Sequence, residues 1–342
     1  MFNSKDPIIS LWPQLIGAVN AGALATADSI GDGDKENSDH LAVEAINAVM
    51  DGIEMDGQIV IGEGERDNAP MLYIGQKVGT GSGPKVSIAI DPLEGTGPCA
   101  KGQRGAICIL ACGDADGIIG AADGYMDKLA VGPDLVDVVN PTATIAENIE
   151  AMAQRLDRET RGITVAVLDR MRNQSTIDQI RKTRARVTLI TDGDLSEVIN
   201  AMVAGHDTDA VMGSGGSPEG HIGACVAKCM GGSHWGRYLH PDELAEFPKD
   251  RGKLSDNYCD RMLEMGIEFN RYYTTNELAP SQRIVVAIAH VTHGVLRGEA
   301  VKRFSHGHVI HWSAMGCEDG IRYLIPPSRI VTIDHPKKAF RL

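Results

Sequence analysis

The chain begins with a helical pattern of apolar residues. Between residues 8 and 27 they recur at three- and four-residue spacing, and a second helix is predicted from Leu41 to Met50. Ser38 or Asp39 is placed to cap this second helix, since a short polar side chain there can accept a backbone N–H. Short β-branched and apolar runs then predict buried strands, at 58–61, 86–90 and 106–110. We expect this mixed first part to end with a helix over 142–155.

Strands and helices alternate in the second part of the chain. Apolar, β-branched runs predict three strands, each followed by a helical pattern, at 163–168, 186–190 and 209–212. This alternation predicts a parallel sheet, whose ligands collect at the carboxyl ends of its strands. The segment 124–131 is expected along a sheet edge, and short strands are expected after residue 283. The sequence therefore predicts an α/β fold with an α+β N-terminal half, and we divide it into subdomains 1–155 and 156–342.

Composition and charge limit the kinds of protein to which this chain can belong. The chain is 43% hydrophobic and 23% charged, which is ordinary for a globular protein. Asp and Glu number 46 against 33 Lys and Arg, which argues against nucleic acid or an anionic membrane as a partner. The sequence contains no run of about 18 apolar residues, so we expect no membrane span, and no signal peptide is recognisable. The seven cysteines are scattered, so we expect free thiols in a cytoplasmic protein.

A turn rich in oxygen ligands follows the strand predicted over 86–90. Its sequence is Asp91-Pro92-Leu93-Glu94-Gly95-Thr96, which places two carboxylates and a hydroxyl close together. Pro92 fixes φ and Gly95 permits unusual backbone conformations, so the chain can fold tightly here. We interpret this turn as one that holds metal ions against a phosphate.

Further carboxylates stand near other predicted strand ends and helix starts. Glu63 follows a predicted strand, and Glu219 lies in a glycine-rich loop before a helix. Mg²⁺ and Mn²⁺ prefer several oxygen ligands, so convergence of these carboxylates with Asp39 would hold two or more divalent cations. Asp39 could instead be a plain helix cap, and the acidic turn at Glu63 could be ordinary surface. If the carboxylates converge, we expect Thr96, Glu63 and Asp91 to be catalytic, with Thr96 directing the attacking water.

The strand ends of the second part carry groups suited to a phosphorylated sugar. Arg170 and Arg172 can hold a phosphate by fork-shaped hydrogen bonds, while Asp192 and Asp194 suit sugar hydroxyls. The glycine-rich loop at 213–220 can bind an anion before a helix, or it can be simply a tight turn. A substrate with a phosphate at each end and hydroxyls between them fits these groups, which indicates a sugar bisphosphate.

Several segments together resemble a known family. The turn at 91–96 is similar to the D-P-[IL]-[DE]-G-T signature of the lithium-sensitive, metal-dependent phosphatase superfamily. Within it, the chain resembles the class II fructose-1,6-bisphosphatases of bacteria over about residues 8–335. The segments that carry this closer resemblance are 59–75, 125–129, 192–194 and 215–220.

The resemblance implies a layered α-β-α-β-α sandwich that hydrolyses the 1-phosphate of fructose 1,6-bisphosphate with Mn²⁺ or Mg²⁺. It also implies a homodimer or homotetramer, and some members take sedoheptulose 1,7-bisphosphate as well. The metal ligands that it implies are Asp39, Glu63, Asp91, Glu94 and Glu219. The substrate contacts that it implies are Glu94, Gly95, Thr96, Tyr125, Arg170, Met171, Arg172, Asp192, Gly193, Asp194 and Gly216. Many members have Lys at the position of Arg170, which conserves the charge.

Two other functions are compatible with the sequence. A phosphatase of the inositol-monophosphate or nucleotide type would prefer a monophosphate and would depend little on Arg172. A non-catalytic sensor of sugar phosphates would bind its ligand without hydrolysis. The acidic composition and the irregular, His-rich C-terminal part favour a sensor, whereas the intact ligand positions argue against it.

Overall fold

The computed structural model describes residues 5–63, 71–305 and 307–333 of the chain. The α-helices are α1 (Trp12–Ala25), α2 (Lys35–Met50), α3 (Thr96–Ala100), α4 (Ile145–Arg155), α5 (Gln174–Lys182), α6 (Asp194–Ala201), α7 (Ser217–Met230), α8 (Pro248–Arg251), α9 (Tyr258–Glu264) and α10 (Thr275–Leu278). The strands are β1 (Asp56–Ile61), β2 (Lys77–Val78), β3 (Lys85–Glu94), β4 (Ile107–Asp114), β5 (Tyr125–Val131), β6 (Thr164–Leu168), β7 (Arg186–Ile190), β8 (Ala210–Gly216), β9 (Ser233–Tyr238), β10 (Arg283–His290), β11 (Lys302–Phe304), β12 (Gly307–Glu318) and β13 (Ile321–Ile333). No helix in these described ranges combines the length and the apolar character needed to cross a bilayer.

The strands form two sheets. In the first sheet the order is β11-β12-β10-β4-β3-β1-β2, with β13 paired to β12, and in the second it is β7-β6-β8-β5-β9. β1 is parallel to β3, and β6 is parallel to both β7 and β8. The remaining described pairs are antiparallel. Both sheets draw strands from either side of residue 155, and the division into two subdomains stays a prediction.

Strand β5 corrects two expectations from the sequence. It lies between β8 and β9 and is antiparallel to both, so it is not at a sheet edge. The alternating strands β6, β7 and β8 are parallel as predicted, but the insertion of β5 makes the whole sheet mixed. β5 precedes these strands in the chain, so its position depends on long-range pairing that local sequence patterns do not reveal.

Helices and sheets alternate in five layers, as the predicted α-β-α-β-α sandwich requires. On the outer face of the first sheet, Ile46 of α2 shares a core with Ile88 of β3. Helices α6 and α7 lie between the sheets, where Ile222 joins a core that includes residues of both. Helices α4 and α5 cover the outer face of the second sheet through Ile149 and Ile177. Because β4 and β10 are covered on both faces, their sequences are continuously apolar rather than alternating.

Helix α2 begins earlier than the sequence predicts. Asp34 is its N-cap, and the Asp34 side chain accepts a hydrogen bond from the Asn37 N–H at 3.0 Å. Ser38 and Asp39, expected as caps of a helix over 41–50, lie inside the helix instead. The first turn is polar and mostly exposed, so apolar periodicity marked only the buried part of this helix.

Replacement of Asp34 by Ala is expected to lower the free energy of unfolding by about 1 kcal/mol, because the first turn of α2 loses a capping acceptor. Urea denaturation of the two proteins measures this difference. Asp34→Asn is the matched control, since its amide oxygen can still accept from the Asn37 N–H and stability should be nearly retained. Equal destabilisation by both variants would contradict the capping role.

Candidate active site

The oxygen-rich segment predicted at 91–96 lies at the carboxyl end of β3. The strand continues to Glu94, and its pairing with β4 is irregular between Asp91 and Glu94. Asp91 Oδ1 accepts a hydrogen bond from the Leu93 N–H at 3.0 Å, which tightens this irregularity. Gly95 then adopts φ 82°, a left-handed conformation that favours glycine, and Thr96 starts α3. The backbone therefore directs both carboxylates to the same end of the strand.

Three carboxylates meet at this strand end. Ligand oxygens of Asp91, Glu94 and Glu219 lie within 4.8 Å of one another. Glu219 comes from the first turn of α7, where the positive end of the helix dipole favours an acidic side chain. Burial raises the pKa of Asp91 and Glu94 well above the ordinary range, and the neighbouring carboxylates raise it further. Such a set of crowded carboxylates, in which Glu94 is buried and Asp91 and Glu219 are half-buried, fits a hard divalent cation.

The other two predicted metal ligands come from elements that pack beside β3. Asp39 projects from α2, and its charge contributes to the raised pKa of Asp91. Glu63 lies two residues beyond Ile61, which pairs with Ala89 in the parallel strands β1 and β3. Asp91 likewise lies two residues beyond Ala89. Glu63 and Asp91 therefore follow paired residues at the carboxyl ends of these two strands. The segment 64–70, part of the resemblance, lies outside the described residues.

The loop before α6 lies against the carboxylate cluster. The Leu195 N–H donates to Glu94 Oε1 at 2.9 Å, and the Gly97 N–H donates to Asp192 Oδ2 at 3.2 Å. Gly193 has φ 79°, and a Cβ there would lie 3.7 Å from Glu94 Oε1. This left-handed glycine lets the loop approach Glu94 closely, so the predicted 192–194 segment and the predicted turn form adjoining walls.

Asp194 has a partner that the sequence did not indicate. Its Oδ2 lies 2.7 Å from Lys128 Nζ, and both side chains are nearly fully buried. Among the predicted sugar contacts, Asp194 is therefore engaged in an internal ion pair beside Glu94. Lys128 stands in the otherwise largely apolar strand β5, and a lone lysine in such a strand is the signal that could have identified it.

Tyr125 and Arg172 form a second cluster together with Asp250. The Arg172 guanidinium lies over the Tyr125 ring at 4.6 Å, and Arg172 Nη1 is 3.0 Å from Asp250 Oδ1. Tyr125 donates its hydroxyl proton to the same Asp250 oxygen at 3.2 Å. Arg172 Nε also donates to Ser214 Oγ at 3.1 Å. Sequence patterns gave no indication of Asp250, which lies far along the chain in the short helix α8.

The remaining predicted contacts differ in exposure. Gly216 pairs with Tyr125 and precedes α7, and a Cβ at this position would overlap the Glu219 carboxylate. Gly216 therefore lies between the carboxylate cluster and the cluster of Tyr125, Arg172 and Asp250. Arg170 is half-buried and Met171 is 76% exposed, on the 3₁₀ segment that leads to Arg172. The Arg170 guanidinium lies at the surface, where its Nη1 donates to the Asp169 carbonyl at 3.0 Å.

Comparison with known proteins identifies a family for this arrangement. A family model described as bacterial fructose-1,6-bisphosphatase, glpX-encoded, matches residues 10–325. A relative from Prochlorococcus marinus (strain MIT 9312) is 40% identical over 288 residues, which span 84% of this chain and 86% of the relative. A relative from Synechococcus elongatus is 39% identical over 307 residues, which span 86% and 88%. Both are named D-fructose 1,6-bisphosphatase class 2/sedoheptulose 1,7-bisphosphatase. The chain belongs to the bacterial, glpX-encoded fructose-1,6-bisphosphatase family.

Proposed function

We propose that the protein hydrolyses the 1-phosphate of fructose 1,6-bisphosphate and releases fructose 6-phosphate and inorganic phosphate. The observation that carries this proposal is the carboxylate cluster of Asp91, Glu94 and Glu219, joined through Gly216 to the Tyr125 side of the site. The names of the two relatives support the substrate and the reaction. Because those names also include sedoheptulose 1,7-bisphosphate, we propose that sugar as a second substrate.

Divalent cations complete the proposed site. We infer that Mn²⁺ or Mg²⁺ is held by the five predicted ligands, Asp39, Glu63, Asp91, Glu94 and Glu219. When bound, the cations would offset the charge of the phosphoryl group and make water a stronger nucleophile. The acids alone would repel an anionic substrate, so their crowding supports metal dependence.

We propose that Thr96 directs the attacking water. It is half-buried, and it follows Gly95 directly at the start of α3. A hydroxyl can accept a hydrogen bond from water while it donates one to a phosphoryl oxygen. Glu63, two residues beyond β1, and Asp91, at the matching position of β3, would fix the direction from which this water approaches.

The second cluster is proposed to hold the far end of the substrate. Arg172, fixed by its stacking on Tyr125, offers a guanidinium fork to the 6-phosphate, and Arg170 adds a second positive charge at the surface. The carboxylate of Asp192 is proposed to accept from sugar hydroxyls. Asp194 is proposed to act there too, and its pairing with Lys128 keeps its charge compensated. Glu94, Gly95, Met171, Gly193 and Gly216 complete the proposed contacts.

A phosphate-release assay tests the proposed function. The purified protein is offered fructose 1,6-bisphosphate, sedoheptulose 1,7-bisphosphate and inositol 1-phosphate, each with Mg²⁺ and with Mn²⁺. Turnover of the bisphosphates with either metal is expected. Preferred turnover of inositol 1-phosphate would favour the inositol-monophosphate type instead. Binding of fructose 1,6-bisphosphate without any turnover would favour a sensor and refute the proposal.

The assembly, the location and the superfamily of the enzyme are also part of the proposal. We propose a cytoplasmic homodimer or homotetramer, as the family resemblance implies, and light scattering with size-exclusion chromatography measures its mass. Membership of the lithium-sensitive phosphatase superfamily is likewise proposed, from the turn at 91–96. Inhibition of the bisphosphatase activity by millimolar-scale lithium, absent with sodium, is the expected behaviour.

Replacement of Asp250 by Asn is expected to lower the KM for fructose 1,6-bisphosphate about fivefold. Asp250 occupies the Arg172 guanidinium in this structure, so it competes with a phosphate for the same donors. Removal of this competing charge is expected to favour phosphate binding by about 1 kcal/mol, which corresponds to the fivefold change in affinity. Steady-state kinetics measure KM, and Asp242→Asn on the neighbouring exposed segment is the control. A raised KM would show that Asp250 positions Arg172 rather than competing for it.

A further inference from the structure

Two buried residues, Asn173 and Ser214, lie behind the Arg172 guanidinium. Arg172 and Asn173 belong to the 3₁₀ segment that follows β6, and Ser214 lies in β8. Arg172 Nε donates to Ser214 Oγ at 3.1 Å and to the Ser214 carbonyl at 3.3 Å. The proposed function assigns a role to Arg172 but none to these two neighbours. Their hydrogen bonds determine how the guanidinium is oriented.

Asn173 bridges the parallel strands β6 and β8 at the point where they separate. The direct pairing of these strands ends at Ala166 and Val211. Beyond that pair, Asn173 Nδ2 donates to the Leu168 carbonyl of β6 and to the Ser214 carbonyl of β8, each at 3.0 Å. Asn173 Oδ1 accepts from the Ser214 N–H at 2.8 Å and from Ser214 Oγ at 3.0 Å. The side-chain amide therefore replaces strand pairing at the carboxyl ends, where a parallel sheet binds its ligands.

Asn173 is fully engaged in this bridge. It is 1% exposed, and both donors and both acceptor positions of its amide are used. An asparagine just before a helix would ordinarily cap it, yet in the described part of the chain the Asn173 side chain makes no capping bond to α5. Gly213, with φ 106°, permits the close approach, since a Cβ there would lie 3.0 Å from Asn173 Oδ1. Strand β8 is thus shaped to receive this amide.

The Ser214 hydroxyl links the bridge to Arg172. Its one proton is donated to Asn173 Oδ1, so its lone pairs are left to accept from Arg172 Nε. The guanidinium also stacks on Tyr125 at 4.6 Å, so its edge and its face are both held. The terminal nitrogens Nη1 and Nη2 then form the fork from which a phosphate can accept, and Nη1 contacts Asp250 in this structure.

An arginine that is already held binds a phosphate more tightly than a mobile one. The long arginine side chain has considerable rotamer entropy, which is lost when a ligand immobilises it. Here the side chain is buried, and Ser214 and Tyr125 restrict it before any substrate arrives. Substrate binding therefore loses less entropy at Arg172 than it would at a mobile arginine.

We propose that Ser214 and Asn173 are positioning residues for Arg172, and that they set the affinity for the distal phosphate of the substrate without contacting it. This inference rests on the proposed function, because it takes Arg172 as the donor to that phosphate. Loosening of the guanidinium should raise the KM of a substrate that has a distal phosphate. It should leave the hydrolysis of a sugar monophosphate unchanged.

Steady-state kinetics of Ser214→Ala test the positioning role. The KM for fructose 1,6-bisphosphate is expected to rise about fivefold, as the loss of one hydrogen bond implies, with kcat nearly unchanged. Fructose 1-phosphate, which lacks the distal phosphate, should be hydrolysed as before. In Arg172→Ala protein the same substitution should have no further effect on KM, because the group that it orients is absent. Ser313→Ala, which removes another buried hydroxyl, from the contact with His290, is the control and should leave KM unchanged.

Two kinetic outcomes would overturn the proposal. A similar loss with both substrates, or an equal loss in the Arg172→Ala background, would show that Ser214 supports the fold of the site instead. An unchanged KM would show that the Ser214 hydroxyl does not position Arg172. If Ser214→Ala fails to fold, Ser214→Cys is the second variant. It retains a side chain of similar shape with a weaker acceptor, so it should raise KM by a smaller factor.

Urea denaturation of the metal-free protein tests the contact without any turnover. Ser214→Ala should lower the urea midpoint more in wild-type protein than in Arg172→Ala, because the bond to Nε exists only in the former. Equal shifts in the two backgrounds would overturn the proposal. The expected difference in a protein that hydrolyses no bisphosphate would support the positioning of Arg172 and refute the proposed function alone.

Discussion

Replacement of Asp91 by Asn is expected to lower the kcat for fructose 1,6-bisphosphate about a thousandfold and to stabilise the metal-free protein against heat. The loss of activity follows from the removal of one carboxylate ligand at the centre of the cluster, where metal charge stabilisation amounts to several kcal/mol. Asn retains the size of the side chain and the Oδ1 acceptor for the Leu93 N–H. The fold should therefore persist.

The gain in stability follows from the direction of the pKa shift. Burial and nearby carboxylates raise the pKa of Asp91 above its ordinary value of 3.8, so the folded state binds the proton more tightly than the unfolded state. For such a group, stability falls as the pH rises through the ordinary pKa to the raised one, and the full penalty is present above the raised value. Asn carries no charge, so the Asp91→Asn protein avoids this loss of stability at every pH at which Asp91 would be ionised.

Thermal unfolding with and without Mn²⁺ measures both effects. Wild-type protein should gain stability from Mn²⁺, whereas Asp91→Asn should start higher in the absence of metal and gain less. Glu264→Gln, a neutralised exposed residue of α9, is the control and should behave as wild type. A metal-free Asp91→Asn protein that is less stable than wild type would contradict the described crowding of carboxylates.

Replacement of Arg172 by Ala is expected to lower kcat/KM for fructose 1,6-bisphosphate about a hundredfold. The guanidinium is the donor we assign to the 6-phosphate, and hydrogen bonds to charged groups contribute about 1.5–3 kcal/mol each. Its side chain is only 6% exposed and stacks on Tyr125, so no other cation can simply take its place. Arg172→Lys should lose less, because it retains the charge without the fork.

Fructose 1-phosphate is the matched substrate for this variant. It lacks the distal phosphate, so its slower hydrolysis should hardly change when Arg172 is replaced. An equal loss with both substrates would show that Arg172 supports the fold of the site rather than the phosphate. Little loss with either substrate would favour the monophosphate-type phosphatase instead.

The sequence predicted those features whose signals are local. Asp91 and Glu94 follow an apolar strand with Pro92 and Gly95 beside them, and the structure places both at that strand's end. The five-layer sandwich followed from the resemblance rather than from periodicity. The start of α2 was predicted late, because its first turn is polar and contributes little to the core.

The features that the sequence did not predict depend on distant partners. The insertion of β5 between β8 and β9 joins segments far apart in the chain, and no local pattern specifies it. The ion pairs of Asp250 with Arg172 and of Lys128 with Asp194 also join residues that are distant in the chain, so even the unusual lysine of β5 does not reveal its partner. A cavity beside α6 is lined by four segments that are far apart in the chain, at 104–105, 196–200, 206–207 and 294–297, so only the folded chain reveals it.

The placement of Glu219 on α7 has a consequence for how the chain folds. Asp91 and Glu94 belong to the first sheet, whereas α7 leads out of the second sheet and lies between the two. The full set of ligands exists only after both sheets have closed on that shared helix. A bound cation would therefore act as a clasp across the layers, and metal uptake would require both sheets to have docked on α7. Slower hydrogen exchange along α7 on addition of metal is the signature of such a clasp.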